Sequence, residues 1–166
     1  QAGGAGAVQW KAAGAAVVLS PGSTGVLPDA HAQNMHVGGS KGSISGNFAM
    51  AEAELLIVIG SRDVCQADCY GNGYKNAQAV ININGDLADA LHYNKTLALV
   101  GDISVVAGRL AAKLESTGAA KNKSAWLKAC AAKKVEWTTY KRKRFECPPL
   151  KDDVWQKPVL SQPAAI

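Results

Sequence analysis

The sequence lacks any apolar run approaching the roughly 20 residues that a bilayer span needs, so no membrane partner is expected. Residues 1–7 carry neither a basic n-region nor a long apolar core and are not expected to act as a signal peptide. They also lack an initiator Met, so the chain is expected to be processed, trimmed or cut from something longer. Cysteine is sparse: Cys65, Cys69, Cys130 and Cys147 are the four present. In a chain long enough to build a core they read as free intracellular thiols, and the expected location is cytoplasmic. Cys65 and Cys69 share a loop, but no second pair and no nearby His completes a four-ligand set, so no metal site is expected. Acidic residues are scarce between positions 121 and 144. There Glu136 alone opposes Lys121, Lys123, Lys128, Lys133, Lys134, Lys141, Arg142, Lys143 and Arg144. Such a cluster can hold phosphate-rich partners. With no recognition motif beside it, it reads as a solvated helix face, and nucleic acid is not an expected partner.

What is present points to one folded domain. The chain has 166 residues, 48% of them hydrophobic, with 17 glycines, which excludes a mainly disordered polymer. Its most informative stretch is Glu54-Leu55-Leu56-Ile57-Val58-Ile59-Gly60-Ser61-Arg62. Five consecutive apolar residues, three of them β-branched, predict a strand buried on both faces of a parallel sheet. Gly60-Ser61 lets the backbone turn sharply at its carboxyl end. The phrase recurs as Val80-Ile81-Asn82-Ile83-Asn84-Gly85-Asp86 and as Leu97-Ala98-Leu99-Val100-Gly101-Asp102. Three strands closed alike predict one sheet with one polar edge, where ligands sit in open α/β folds.

Along the chain, residues 1–6 are glycine-rich, 7–16 favour a short helix and 15–19 a strand. Ser20-Pro21-Gly22-Ser23-Thr24-Gly25 breaks that strand. Residues 26–42 read as irregular. They hold His31 and His36, which have no acidic partner nearby in sequence and read as surface-loop histidines. Ser43 or Ser45 can cap a helix whose Ile44, Phe48 and Ala51 would pack on the sheet. That helix start, preceded by Gly38-Gly39-Ser40-Lys41, suits either an anion or an ordinary cap. Residues 63–78 form a loop, and 86–93 make a helical turn or two. Asp102 caps an amphipathic helix with Ile103, Val106, Leu110 and Leu114 on one side. A second long helix runs over 124–145, with Trp126, Leu127, Cys130 and Trp137 as its apolar side. Pro148-Pro149 ends it. The Pro-interrupted tail, with Trp155, Val159 and Leu160, fits a linker entering another domain.

The order of several phrases resembles the central domain of thiamine-diphosphate-dependent enzymes, near acetolactate synthases and trihydroxycyclohexane-dione hydrolases. They are Ser20-Pro-Gly-Ser-Thr-Gly-Val-Leu-Pro-Asp29, Gly38-Gly-Ser-Lys-Gly42, Asn47-Phe-Ala-Met-Ala-Glu-Ala-Glu-Leu-Leu-Ile-Val-Ile-Gly-Ser-Arg62, Val80-Ile-Asn-Ile-Asn84 and Gly101-Asp102. The resemblance spans residues from about 15 to the end and implies an α/β fold. That fold is a Rossmann-like parallel sheet with helices on both faces (the DHS-like NAD/FAD-binding domain type), its first strand truncated. It implies a central domain over 1–146 and, over 147–166, a linker towards a pyrophosphate-binding domain that is not in this sequence. Thiamine diphosphate and Mg²⁺ belong to the outer domains in that family, so no catalytic residue and no metal ligand is expected here. Gly85-Asp86 is only superficially like the family's Gly-Asp-Gly metal motif, because Leu87 stands at the second Gly.

Some relatives bind FAD or ADP along the strand ends. Carried over residue by residue, the implied contacts are Gly39, Lys41, Ser43, Gly60, Ser61, Arg62, Asn82, Asn84, Gly101 and Asp102. The family often has Asp at Asn82 or Asn84, and Asn bonds without charge assistance. The implied partners are the other domains of a parent enzyme and further copies in a homo-oligomer. The competing reading is an independent FAD- or ADP-binding module of the same fold.

Overall fold

The computed structural model describes residues 14–61, 73–91, 95–117, 124–146, 150, 151, 153, 154 and 156–160. The helix expected over 7–16, Arg62, and Cys65, Cys69 and Cys147 thus lie partly or wholly outside the described residues. Strand β1 (Val17–Leu19) pairs in parallel with β2 (Asn34–Val37). Strands β3 (Leu55–Ile59), β4 (Ala79–Asn84) and β5 (Thr96–Val100) form a second parallel sheet in that order. Its register is regular, with Leu56 beside Val80, Val80 beside Thr96 and Ile83 beside Leu99. The three repeated apolar phrases are therefore the three strands of one sheet. In the tail, β6 (Leu150–Lys151) pairs antiparallel with β7 (Pro158–Val159).

Four helices connect and cover these strands among the described residues. Helix α1 (Ile44–Glu52) starts at Ser43, whose Oγ accepts the Gly46 N–H at 2.9 Å. The short α2 (Leu87–Ala90) starts at Asp86, and α3 (Ile103–Ser116) starts at Asp102. Both caps satisfy N–H groups that a helix start leaves unpaired. Helix α4 (Ser124–Phe145) covers the range that its sequence predicts. Pro at 21 breaks the chain after β1 into a single 3₁₀ turn over Pro21–Ser23.

Two buried clusters make the core of the described residues. One joins Met50, Val58, Tyr74, Ala77 and Val80, with Val18 and Leu56 against it. The other joins Met35, Ala49 and Cys130, with Ala16, Val18, Phe48 and Trp126 against it. Val18 belongs to both, so β1 is the seam between the two halves. Gly46 permits the close approach of α1 to β2. A Cβ there would meet the Val37 carbonyl carbon at 2.8 Å and Ser43 Oγ at 2.9 Å.

Three expectations need correction. β3 is not buried on both faces: Val58 is buried, but Leu55 is 52% and Ile59 40% exposed, and among the described residues β3 is the edge of its sheet. Residues 26–42 are not all irregular, since they contain β2. Its Asn34 and Met35 are fully buried. Phe48 stacks on Trp126 of α4 with centroids 6.1 Å apart, so besides packing on the cluster of Met35 it seats a helix. Met50 fills the position facing the three-stranded sheet.

Candidate functional site

The polar edge of the three-stranded sheet is built from its turns. Gly60 adopts φ +62°, a conformation in which L side chains are strained, and its N–H donates to the Ile83 carbonyl at 2.9 Å. The Gly101 N–H donates to the Asn84 carbonyl at 3.0 Å. Asn84 ties the edge together. Its Nδ2 donates to the Ser61 carbonyl at 3.4 Å, and its Oδ1 accepts the Asp86 N–H at 3.2 Å. Asp86 Oδ1 accepts from the Ala88 and Asp89 N–H groups at 2.7 and 3.2 Å. Asp102 Oδ1 accepts from Val105 N–H at 3.0 Å. Of the expected contacts, then, Gly60, Ser61, Asn84, Gly101 and Asp102 gather at one edge.

The remainder are placed differently. Asn82 is fully buried within the sheet. Its Nδ2 donates to the Asp89 carbonyl at 3.3 Å, and its Oδ1 has no partner among the described residues. Gly39, Lys41 and Ser43 lie in the turn from β2 to α1. There the Gly39 N–H donates to Asn47 Oδ1 at 2.7 Å, and the Ser43 hydroxyl reaches the Met35 and Val37 carbonyls at 2.9 and 3.0 Å. Ser43 is buried and works as the helix cap, whereas Lys41 is exposed. Arg62 lies outside the described residues.

A second polar grouping escaped the sequence reading. Val17 pairs with Asn34 but Leu19 with Val37, so β2 carries one residue more than β1 across that interval. His36 lies in this bulge with φ +63°, and its Nδ1 is 3.8 Å from Asp29 Oδ1. Burial, then Lys134 and Lys141, pull its pKa below the ordinary imidazole value, with Asp29 opposing them. Lys134 donates from Nζ to the Asp29 and His31 carbonyls, each at 2.7 Å. Burial likewise lowers its pKa, with Asp29 opposing and Lys141 adding to the fall. His36 thus has an acidic neighbour, contrary to the expectation from sequence. The Pro28-Asp29 turn was the only visible signal, and the bulge brings it round. A groove of about 410 Å³ opens beside this grouping, lined by Ala30, Ala32, Ala131, Lys134, Val135, Thr138, Thr139 and Arg142. It lies away from the strand-end glycines.

Helix α4 carries seven of the 18 basic residues and one of the 13 acidic ones. Its charges are not all simply solvated. Lys133 lies over the Phe48 ring at 5.6 Å, Lys141 over Trp137 at 5.8 Å and Arg144 over Tyr140 at 5.9 Å. Among the described residues no group of His, Cys, Asp and Glu is placed to hold a metal, and no helix is long and apolar enough to cross a membrane. Cys130 is a buried free thiol whose pKa burial pushes up to about 11.

Comparison with curated proteins finds no match. The family model described as "Thiamine pyrophosphate enzyme, central domain" matches residues 9–110, which takes in both parallel sheets and most of α3. With the parallel strands, their glycine turns and the capped helices in that same span, the chain belongs to the family of thiamine pyrophosphate enzyme central domains.

Proposed function

We propose that this chain is a non-catalytic, structural central domain of a thiamine-diphosphate-dependent enzyme acting on 2-oxo acids or diketones. The observation that carries this reading is the use made of the polar edge. There Asp86 and Asp102 each hold a helix start and Asn84 holds two turns together, and away from it Ser43 likewise caps α1. These side chains stabilise backbone rather than present themselves to a substrate.

The residues present do not fit the family's cofactor. Thiamine diphosphate reaches a protein through Mg²⁺, which takes carboxylate and carbonyl oxygens in near-octahedral order. Of the two Gly-Asp phrases, Gly85-Asp86 commits Asp86 Oδ1 to two backbone N–H groups of α2, and Gly101-Asp102 commits Asp102 Oδ1 to the Val105 N–H. We therefore assign the cofactor and its Mg²⁺ to other domains of the parent enzyme. On this reading the central domain runs over 1–146, and 147–166 leads towards the pyrophosphate-binding domain. The parent is a cytoplasmic homo-oligomer. The test is an assay of the purified chain with pyruvate or a cyclic diketone, thiamine diphosphate and Mg²⁺. The expected result is no turnover, and turnover that survives rigorous repurification overturns the reading.

One observation favours a second reading, an FAD- or ADP-binding module. Gly60 is exposed at a strand end, where a Cβ would meet Ile103 Cδ1 at 2.9 Å, and a Cβ at Gly85 would meet nothing within 4 Å, so a ligand has room to approach the Gly85 turn. Calorimetric titration with ADP and FAD, beside Arg62→Ala, tests it. Binding that the variant weakens supports a strand-end site, and absence of heat at millimolar ligand removes it.

A further inference from the structure

The net charge of this chain sits on one helix. With seven of the 18 basic residues and one of the 13 acidic ones on α4, the remaining 11 and 12 nearly cancel. Glu136 pairs with Lys133 at 2.8 Å. Among the described residues no carboxylate lies within ion-pair distance of Lys128, Lys141, Arg142, Lys143 or Arg144. Lys141 is half-buried and the other four are exposed. Cations in a helix's last turn are stabilised by its dipole, but that effect fades within the turn and does not reach Lys128. Two of the cations are held in place: Lys141 lies over Trp137, Arg144 lies over Tyr140, and the two rings stack with centroids 5.7 Å apart. Ordering those long side chains beforehand lowers the entropy lost when an anion arrives.

The groove beside these charges has a complementary form. Its volume of about 410 Å³ lies between α4 and the turn over residues 29–32. Ala30, Ala32, Ala131 and Val135 give it apolar walls, and Lys134 and Arg142 line it as cations. Lys134, Thr138 and Arg142 recur at i, i+4 and i+8 and so share one side of the helix. The Thr138 and Thr139 hydroxyls donate to the Lys134 and Val135 carbonyls, both at 3.0 Å, and offer no donor to the groove. Lys134 Nζ already donates to the Asp29 and His31 carbonyls. The result is an apolar slot with a row of unpaired cations beside it and few groups able to read the edge of a base.

We propose that this groove and the cations of α4 bind single-stranded nucleic acid, one base entering the apolar slot and neighbouring phosphates meeting Lys141, Arg142 and Lys143. The charge row calls for a polyanion, since one phosphate cannot engage cations spread from Lys128 to Arg144 along the helix. The slot calls for a single strand. A duplex keeps its bases stacked and paired, so it has no free ring to insert without first flipping one out. Ring contact beside a charged track is sequence-tolerant, which suits a groove with so few donors. The sequence carries no recognition motif beside its charges; the turn over residues 29–32 supplies the slot instead. This function is separate from the central-domain reading and does not rest on it.

Fluorescence anisotropy of the full chain with a labelled oligothymidylate of about twelve nucleotides tests this. The logarithm of the binding constant should fall with that of the salt concentration with a slope of about −3, the value for about four phosphate contacts. The duplex of the same sequence and length should bind at least about 3-fold more weakly, although its charge density is higher. Ala131→Phe fills the slot from an exposed helix position and should erase that preference while keeping the slope. Lys143→Ala, at an exposed position, should make the slope shallower by about 0.7 and keep the preference. Absence of binding at low salt overturns the proposal, as does a duplex that binds as tightly as the single strand. So does Ala131→Phe that folds and keeps the preference. Tighter binding of a polyglutamate peptide of equal charge, or of phosphatidylserine vesicles, overturns it too, by making a different anion the partner. The duplex comparison uses the unaltered chain, so it decides the matter even where a variant fails to fold.

Discussion

The β1–β2 half of the molecule and the β3–β5 half invert what their sequences suggest. β2 reads Asn-Met-His-Val, a polar and unpromising strand, yet Asn34 and Met35 are fully buried. β3 reads Leu-Leu-Ile-Val-Ile, the most apolar run in the chain, yet both its ends are exposed. The difference lies in neighbours. β2 is roofed by α1 and α4 through Ala49 and Cys130. Among the described residues β3 has β4 on one side only. Burial thus follows what an element is packed between, and hydropathy states only what it could tolerate. The polar half compensates by pairing. Asn34 donates from Nδ2 to the Leu27 and Pro28 carbonyls, each at 3.1 Å, and its Oδ1 accepts the His36 N–H at 2.8 Å.

Four measurements would sharpen or break this contrast. The largest effect is expected from Met35→Ala, which empties a fully buried position between β2, α1 and α4. It should cost about 2–5 kcal/mol in urea unfolding. Next is Asn34→Ala, which strands three backbone partners, one buried and two partly buried, and should cost about 1–3 kcal/mol. A loss below about 1 kcal/mol there would mean the polar half is held by packing alone. Leu55→Ala, on the apolar strand, should cost less than about 1 kcal/mol in the isolated chain, because half of that side chain already faces water. A cost like that of Met35→Ala would show that β3 is covered in solution.

The smallest effect is a pH dependence. The folded pKa of His36 lies below its unfolded value, so the folded state favours the neutral ring. The associated stability is complete above the unfolded pKa of about 6.5 and is lost as pH falls from there through the folded pKa. His36→Gln should flatten the stability–pH curve in that window. An unchanged slope would place its origin in another group.

Much of the fold was legible before any coordinates. The three apolar phrases with their glycine turns, a Ser cap at 43 or 45, the Asp102 cap and the extent of α4 all follow from local signals. Caps are legible because Ser and Asp next to an apolar periodic run have one local use for their oxygen. The candidate site was legible only in part. Gly60, Asn84 and Gly101 announced a polar edge, whereas Asn82 was assigned to that edge and is buried against the Asp89 carbonyl. Side-chain alternation says which face a strand residue takes, not what covers it. The Asp29–His36 pair was invisible because its partners are separated by a turn and joined by a bulge.

The sequence by itself determined the parallel strands, their glycine-closed ends and the helix starts, since these rest on short-range sterics and on hydrogen bonds a few residues apart. Only the tertiary structure decided which strand stands at an edge, which histidine meets a carboxylate, and that Lys134 of α4 donates to carbonyls of residues 29 and 31. Those contacts join segments as much as 105 residues apart in the chain. No local pattern encodes them, because they depend on how separately formed elements share one core.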